Sequence, residues 1–181
     1  MARVIVPLAR GLEEIEAVTV IDTLRRAEND VTAAGLGGTK IEGSHNITIQ
    51  ADQRLKNVNS RVFDGVVLPG GMPGTENLKR NSTVIQLVRE FEATDRLVAA
   101  VCAAPLVLLD ADILEGRSFT SFPSFADRFS GLDYREQKVV RDGNLITSRG
   151  PGTALRFALE IVDYLNGSEK KAELQEKMLA I

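Results

Sequence analysis

One cysteine and one histidine are all the thiol and imidazole chemistry that this 181-residue chain carries. A lone cysteine excludes an intramolecular disulfide, so nothing implies an oxidising compartment. One Cys and one His also fall short of the donors that a tetrahedral nitrogen–sulfur zinc site needs within one chain; no metal and no cofactor is expected. Long hydrophobic runs are missing, and no segment approaches a membrane span. The opening Met1-Ala2-Arg3-Val4-Ile5-Val6-Pro7 has too short an apolar stretch for a signal peptide and reads as a buried strand, so the expected setting is the cytoplasm. Neither sign of charge dominates: Lys+Arg number 22 and Asp+Glu 25, for a net charge of -3. That balance argues against nucleic-acid or anionic-membrane binding, and short clusters such as Arg25-Arg26 and Lys170-Lys171 read as solvated helix faces. Nucleotide fingerprints are absent too. Gly35-Leu36-Gly37-Gly38 begins like a dinucleotide loop, but Lys40 stands where the third glycine belongs and no helix is expected after it.

What is present is the composition of a soluble globular protein, 44% hydrophobic and 26% charged, at a length that fits one domain over residues 1–181. Short apolar runs alternate with stretches of helical period, the pattern of βαβ units around a mostly parallel sheet. Residues 4–8 read as the first strand. Residues 13–27 read as a helix with Ile15, Val18, Ile21 (or Val20) and Leu24 as its apolar stripe. A second strand over 31–34 is followed by a hairpin over 41–49, turning at Gly43-Ser44-His45-Asn46. Val66-Val67-Leu68 is a strand that stops at Pro69-Gly70-Gly71, and Ser82 is the expected N-cap of the next helix, with Val84, Leu87, Val88 and Phe91 at helical spacing. The strand 97–101 runs straight into a helix over 104–111. Residues 145–147 form a late strand, Pro151-Gly152 opens a helix that Asn166-Gly167 ends, and Ser168 starts the last helix.

In a doubly wound sheet, ligands bind beyond the carboxyl ends of the strands, which directs attention to the residues after Leu8, Leu68, Val101 and Thr147. Val101 is followed at once by Cys102-Ala103-Ala104-Pro105, with no loop before the helix. A nucleophile on so sharp a turn is presented at the sheet edge, and free helix N–H groups favour a thiolate. A depressed thiol pKa is therefore expected, provided a neighbouring carboxyl is protonated and donating. The alternative is a buried cysteine serving as a small hydrophobe. The Pro69-Gly70-Gly71 glycines either expose amides to a developing oxyanion or form a plain turn. Glu13 and Glu14 in the first helical turn are explained by the helix dipole alone, whereas Glu16, one turn in, is placed to point along the sheet edge. Ser148 to Thr153 suits either an anionic group or an ordinary turn, and His45 reads as a solvated hairpin residue.

Taken together and in order, Gly11-Leu12-Glu13-Glu14-Ile15-Glu16-Ala17, Leu68-Pro69-Gly70-Gly71, Val101-Cys102-Ala103-Ala104-Pro105 and Thr147-Ser148-Arg149-Gly150-Pro151-Gly152-Thr153 resemble the ThiJ/PfpI (DJ-one) superfamily. The likeness is to the clade of the Parkinsonism-associated deglycase and bacterial YajL. It implies a flavodoxin-like three-layer α/β/α sandwich with a mostly parallel sheet, and a homodimer. It makes Cys102 the oxidation-prone nucleophile, Glu16 its acidic partner, and the Gly71 and Ala103 amides the oxyanion-binding positions. The activities it implies are cofactor-independent glyoxalase or deglycase chemistry on methylglyoxal, glyoxal or early glycation adducts of proteins and nucleotides. The alternative is a redox sensor or stress chaperone that works through oxidation of Cys102. The chain departs from many relatives at Phe122, where they carry a histidine, and at Ala103, where the protease branch does. Peptidase activity and a histidine base at that place are therefore not expected.

Overall fold

The computed structural model describes residues 1–180, and its elements follow the alternation of apolar runs and amphipathic stretches. In chain order they are β1 (Arg3–Leu8), α1 (Glu14–Arg26), β2 (Asp30–Gly35), β3 (Lys40–Glu42), β4 (Thr48–Gln50), β5 (Gln53–Arg54), β6 (Gly65–Leu68), α2 (Gly74–Lys79), α3 (Ser82–Ala93), β7 (Leu97–Val101), α4 (Pro105–Asp110), β8 (Val139–Asp142), β9 (Leu145–Ser148), α5 (Ala154–Asn166) and α6 (Ser168–Lys177). Seven strands form one sheet in the order β5-β2-β1-β6-β7-β9-β8, parallel throughout except for the antiparallel edge strand β8. The hairpin expected over 41–49 is the separate antiparallel pair β3–β4.

Central strands buried on both faces explain the unbroken apolar runs. Val4, Val6 and Leu8 of β1 and Ala99 and Val101 of β7 face one core, shared with Ala17, Val20 and Leu24 of α1 and Phe157 and Ile161 of α5. Ile5, Val98 and Ala100 face the other, with Val84, Val88 and Phe91 of α3 and Leu106 and Val107 of α4. Helices on both faces make this the flavodoxin-like α/β arrangement that the sequence implied. Among the described residues no helix is long and apolar enough to cross a membrane.

Three local expectations change. The apolar stripe of α1 splits: Ala17, Val20, Ile21 and Leu24 are buried, but Ile15 and Val18 are exposed on a second apolar face. Spacing alone could not separate the two faces. The N-cap of α3 is Asn81, whose side chain accepts the Val84 N–H at 3.2 Å; Ser82 is already helical. The helix expected from Pro151 begins as a short 3-10 turn, with α5 proper starting at Ala154.

Candidate active site

The order β6-β7-β9 places three carboxyl ends side by side, with that of β7 in the middle. Val101 lies opposite Ser148 in the β7–β9 register, and the next residue, Cys102, leaves the strand with φ of 62°. A left-handed backbone at a non-glycine residue stores about 1–2 kcal/mol of strain. Two hydrogen bonds hold it there: the Cys102 N–H donates to the Ser148 carbonyl at 2.9 Å, and the Cys102 carbonyl accepts the Phe122 N–H at 2.8 Å. The strain lifts the side chain out of the strand, as a nucleophile elbow does, and leaves the sulfur partly accessible. The backbone amides of Gly71 and Ala103 favour the charged form of that sulfur.

Glu16, in the first turn of α1, is wholly buried. Its Oε2 accepts the Gly70 N–H at 2.8 Å, its carboxyl interacts with the Cys102 thiol, and its Oε1 is buried with no hydrogen-bond partner. Gly70 makes the meeting possible. A Cβ there would sit 2.7 Å from the Cys102 Cβ and 2.9 Å from Glu16 Oε2, so any side chain would drive carboxyl and thiol apart. Gly71 follows with φ of +89°, where a Cβ would lie 2.3 Å from the Glu13 nitrogen, while the Glu13 N–H donates to the Gly70 carbonyl at 2.9 Å. This turn therefore stitches the end of β6 to the start of α1. In the sequence Gly70 reads as an oxyanion amide or as part of a plain turn, and not as the residue whose missing side chain lets carboxyl and thiol meet.

The pair's electrostatics correct one expectation. Burial in a dry site pushes Glu16 up to about 7, against the lowering effect of the Gly70 N–H and the thiol. Cys102, expected to be depressed, is pushed up to about 12, first by burial, then by the charge and hydrogen bond of Glu16; the Gly71 and Ala103 amides oppose this without overcoming it. The helix that was to stabilise a thiolate is the six-residue α4, which starts only at Pro105. Burial thus disfavours the charged form of both partners, and the two titrate as a coupled pair.

Glu14 lies one residue beyond Glu13 on the hairpin side. Its carboxylate accepts the His45 N–H at 2.7 Å and the Ile47 N–H at 3.4 Å, and pairs with the His45 ring Nδ1 at 2.9 Å. Glu13, Glu14 and His45 are the three metal-ligating side chains that cluster among the described residues, with donor atoms within 4.8 Å of one another. The imidazole and the backbone amides already occupy the Glu14 oxygens. The segment 148–153, read as a possible anion site, also satisfies itself. The Ser148 hydroxyl donates to the Lys138 carbonyl at 2.8 Å and meets Thr153 Oγ1 at 2.6 Å, and the Gly150 N–H reaches Thr153 Oγ1 at 3.1 Å.

Comparison with known proteins matches the model of the DJ-1/PfpI family over residues 2–164. The chain is 46% identical over 178 residues to protein dj-1beta of Drosophila melanogaster, covering 97% of this chain and 95% of that one. The crystal structure of that protein superposes with a TM-score of 0.95, covering 98% of this chain and 97% of the other at 44% identity. A protein of Pyrococcus abyssi named as a deglycase is 31% identical over 165 residues, covering 90% of this chain and 99% of its own length. Oxidized DJ-1 of Toxoplasma gondii superposes with a TM-score of 0.96 at 32% identity, covering 99% and 98% of the two chains.

Proposed function

The chain belongs to the DJ-1/PfpI family, and from that premise we propose that it is a cysteine-dependent enzyme that converts α-oxoaldehydes, or their early adducts on proteins and nucleotides, to 2-hydroxy acids. The observation that carries this reading is a strained, partly accessible Cys102 facing a wholly buried Glu16 that carries a free oxygen. A buried carboxyl oxygen without a partner is destabilising by roughly 1–3 kcal/mol, and such atoms are retained where chemistry uses them.

With Glu16 at about 7, its carboxylate is a base matched to neutral pH. As the sulfur attacks the aldehyde carbon of R–CO–CHO, Glu16 takes the thiol proton and a C–S bond forms. The Gly71 and Ala103 amides, which favour a charged sulfur, would hold the oxygen that becomes negative. Glu16 returns that proton to the oxygen, giving the hemithioacetal, and as a carboxylate again moves the C1 proton to C2 while the hydroxyl proton passes to the C2 oxygen, so that C1 is oxidised to a thioester and C2 is reduced to an alcohol. Water cleaves the thioester, releasing R–CH(OH)–COOH and the free thiol. The net reaction adds one water and needs no external oxidant or cofactor. The test is turnover of methylglyoxal to lactate. Wild type forms lactate and Cys102→Ser loses at least about a thousandfold in rate; no product from wild type, or undiminished product from the variant, contradicts the proposal.

A second reading rests on the same free oxygen. Peroxide would oxidise Cys102 to a sulfenic and then a sulfinic acid, each step consuming one peroxide and releasing one water, with no second cysteine to intercept the product. Glu16 Oε1 is free to bond a sulfinic oxygen. We also propose that the exposed Ile15, Val18 and Ile47 are covered by a second copy in a cytoplasmic homodimer; a monomer mass by sedimentation at micromolar concentration contradicts that assembly.

A further inference from the structure

Resting on the dicarbonyl reading, we propose that Met72 and Phe122 form an apolar rim around the nucleophile that selects substrates whose R group is aromatic or bulky and aliphatic over glyoxal itself. Large exposed hydrophobic side chains are few in this protein, and two of them sit at the sheet end that carries Cys102: Met72 is 44% exposed and Phe122 is 39% exposed. The sheet order sets them on opposite sides of the nucleophile. Met72 follows Gly70 and Gly71 at the exit of β6, where a Cβ on Gly70 would sit 2.7 Å from the Cys102 Cβ. Phe122 lies on the β9 side: its N–H donates to the Cys102 carbonyl, and its ring edge passes 3.2 Å from where a Gly150 Cβ would be. Gly150 thus leaves the space that the ring fills.

Phe122 is not exposed for want of a core to join. Its neighbours Phe119 and Phe129 are buried, with ring centroids 5.0 Å apart edge to face, and Phe129 stacks on Tyr134 at 6.1 Å. Those three rings anchor the segment, and Phe122 stands outside them with the Phe125 ring beside it, at 6.4 Å between centroids. The one guanidinium on the adjoining turn, Arg149, donates to the Glu136 carbonyl at 2.8 Å. A rim of thioether and phenyl offers no donor to the second oxygen of glyoxal's hydrate but offers surface to an apolar R group, whose burial is favourable at about 25 cal/mol per Å².

The experiment compares kcat/KM for glyoxal, methylglyoxal and phenylglyoxal, with hydroxy-acid product read by chromatography. Phenylglyoxal is expected to exceed glyoxal by about 10–100-fold, in the range that added apolar bulk gives in a hydrophobic pocket. Phe122→Ser and Met72→Ser should each lower that ratio several-fold, and Phe122→Leu should keep more of it than Phe122→Ser. Turnover of all three at equal kcat/KM overturns the rim and leaves the enzyme reading standing. A change in sedimentation with an unchanged ratio in the serine variants also overturns it, since the rim would then be an interface. Because absent turnover would remove the enzyme reading, a second measurement does not need it: protection of Cys102 from iodoacetamide by benzaldehyde against acetaldehyde. Benzaldehyde is expected to protect at concentrations at least about tenfold lower; equal protection contradicts the rim directly.

Discussion

Glu14 and Glu16 stand two residues apart at the start of one helix, both buried, and the protein shifts them in opposite directions. Glu14 faces the hairpin turn, where the His45 ring and the His45 and Ile47 amides outweigh its desolvation and hold it down at about 2. Glu16 faces the end of β7, where one amide and a thiol lower it, and burial, with the Glu13 charge after it, raises it to about 7. Burial alone therefore says little about a carboxylate; the number of donors arranged around it decides whether it is a fixed ion or a working acid and base. Glu14 fastens the β3–β4 hairpin to α1. Glu16 is kept short of donors, and the Cys102 thiol is the group it can serve.

Substituting each glutamate in turn sharpens the contrast, and the largest effect is on turnover. Glu16→Gln removes the carboxylate beside the sulfur and is expected to lower kcat/KM for methylglyoxal by about 100- to 10,000-fold, with Glu14→Gln within about fivefold of wild type. Equal losses in the two variants would break the comparison. The pH profile of wild-type kcat/KM should carry an acidic limb near 7 from Glu16, absent in Glu16→Gln.

Next in size is stability, where the two variants should move in opposite directions. The folded pKa of Glu14 is depressed, so its contribution is present above the unfolded value of about 4.5 and is lost as pH falls toward about 2. Glu14→Gln should thus destabilise by roughly 1–3 kcal/mol at pH 7, and by less near pH 3. The folded pKa of Glu16 is raised, so its ionisation between about 4.5 and about 7 works against folding. Glu16→Gln should leave the protein as stable as wild type or more so at pH 8, by at most about 3 kcal/mol. Thermal melts at the two pH values check both signs.

The smallest effect belongs to His45. Its partners raise its pKa, the Glu14 hydrogen bond most and the Glu13 and Glu14 charges after it. The stabilisation is present below the unfolded value of about 6.5 and is lost as pH rises through the folded one. His45→Asn should therefore lower the melting temperature slightly at pH 6 and leave it unchanged at pH 9, with no change in the limb assigned to Glu16. Loss of that limb in His45→Asn would instead make the imidazole part of the site.

Much of this was legible in the residues. The abrupt junction at Val101-Cys102 pointed to the elbow, and the glycines after Leu68 to the turn that meets it, because strand ends in a parallel sheet are marked by where apolar runs stop. What the residues could not show was the environment. The weak edge strand β8, with Arg141 and Asp142 in four residues, lacks an apolar run to betray it. The two-residue β5 is too short to carry a pattern. The direction of the Cys102 shift depends on how fully the sulfur is desolvated and on the charge beside it, and neither can be read from spacing along a chain. Ile15 and Val18 were misplaced because an apolar residue on a helix satisfies the core and an outer face with equal spacing.

The central claim is that Cys102 rests as a neutral thiol and that Glu16 is the base that takes its proton. The thiolate's ultraviolet absorbance, titrated in wild type and Glu16→Gln side by side, tests it most directly. The account predicts no thiolate in wild type below the free-thiol value of about 8.5, and a lower titration midpoint in Glu16→Gln, because two of the causes that raise the sulfur come from that carboxyl. A wild-type midpoint well below about 8.5 that Glu16→Gln leaves in place or moves upward would contradict the account and restore a thiolate already formed at rest.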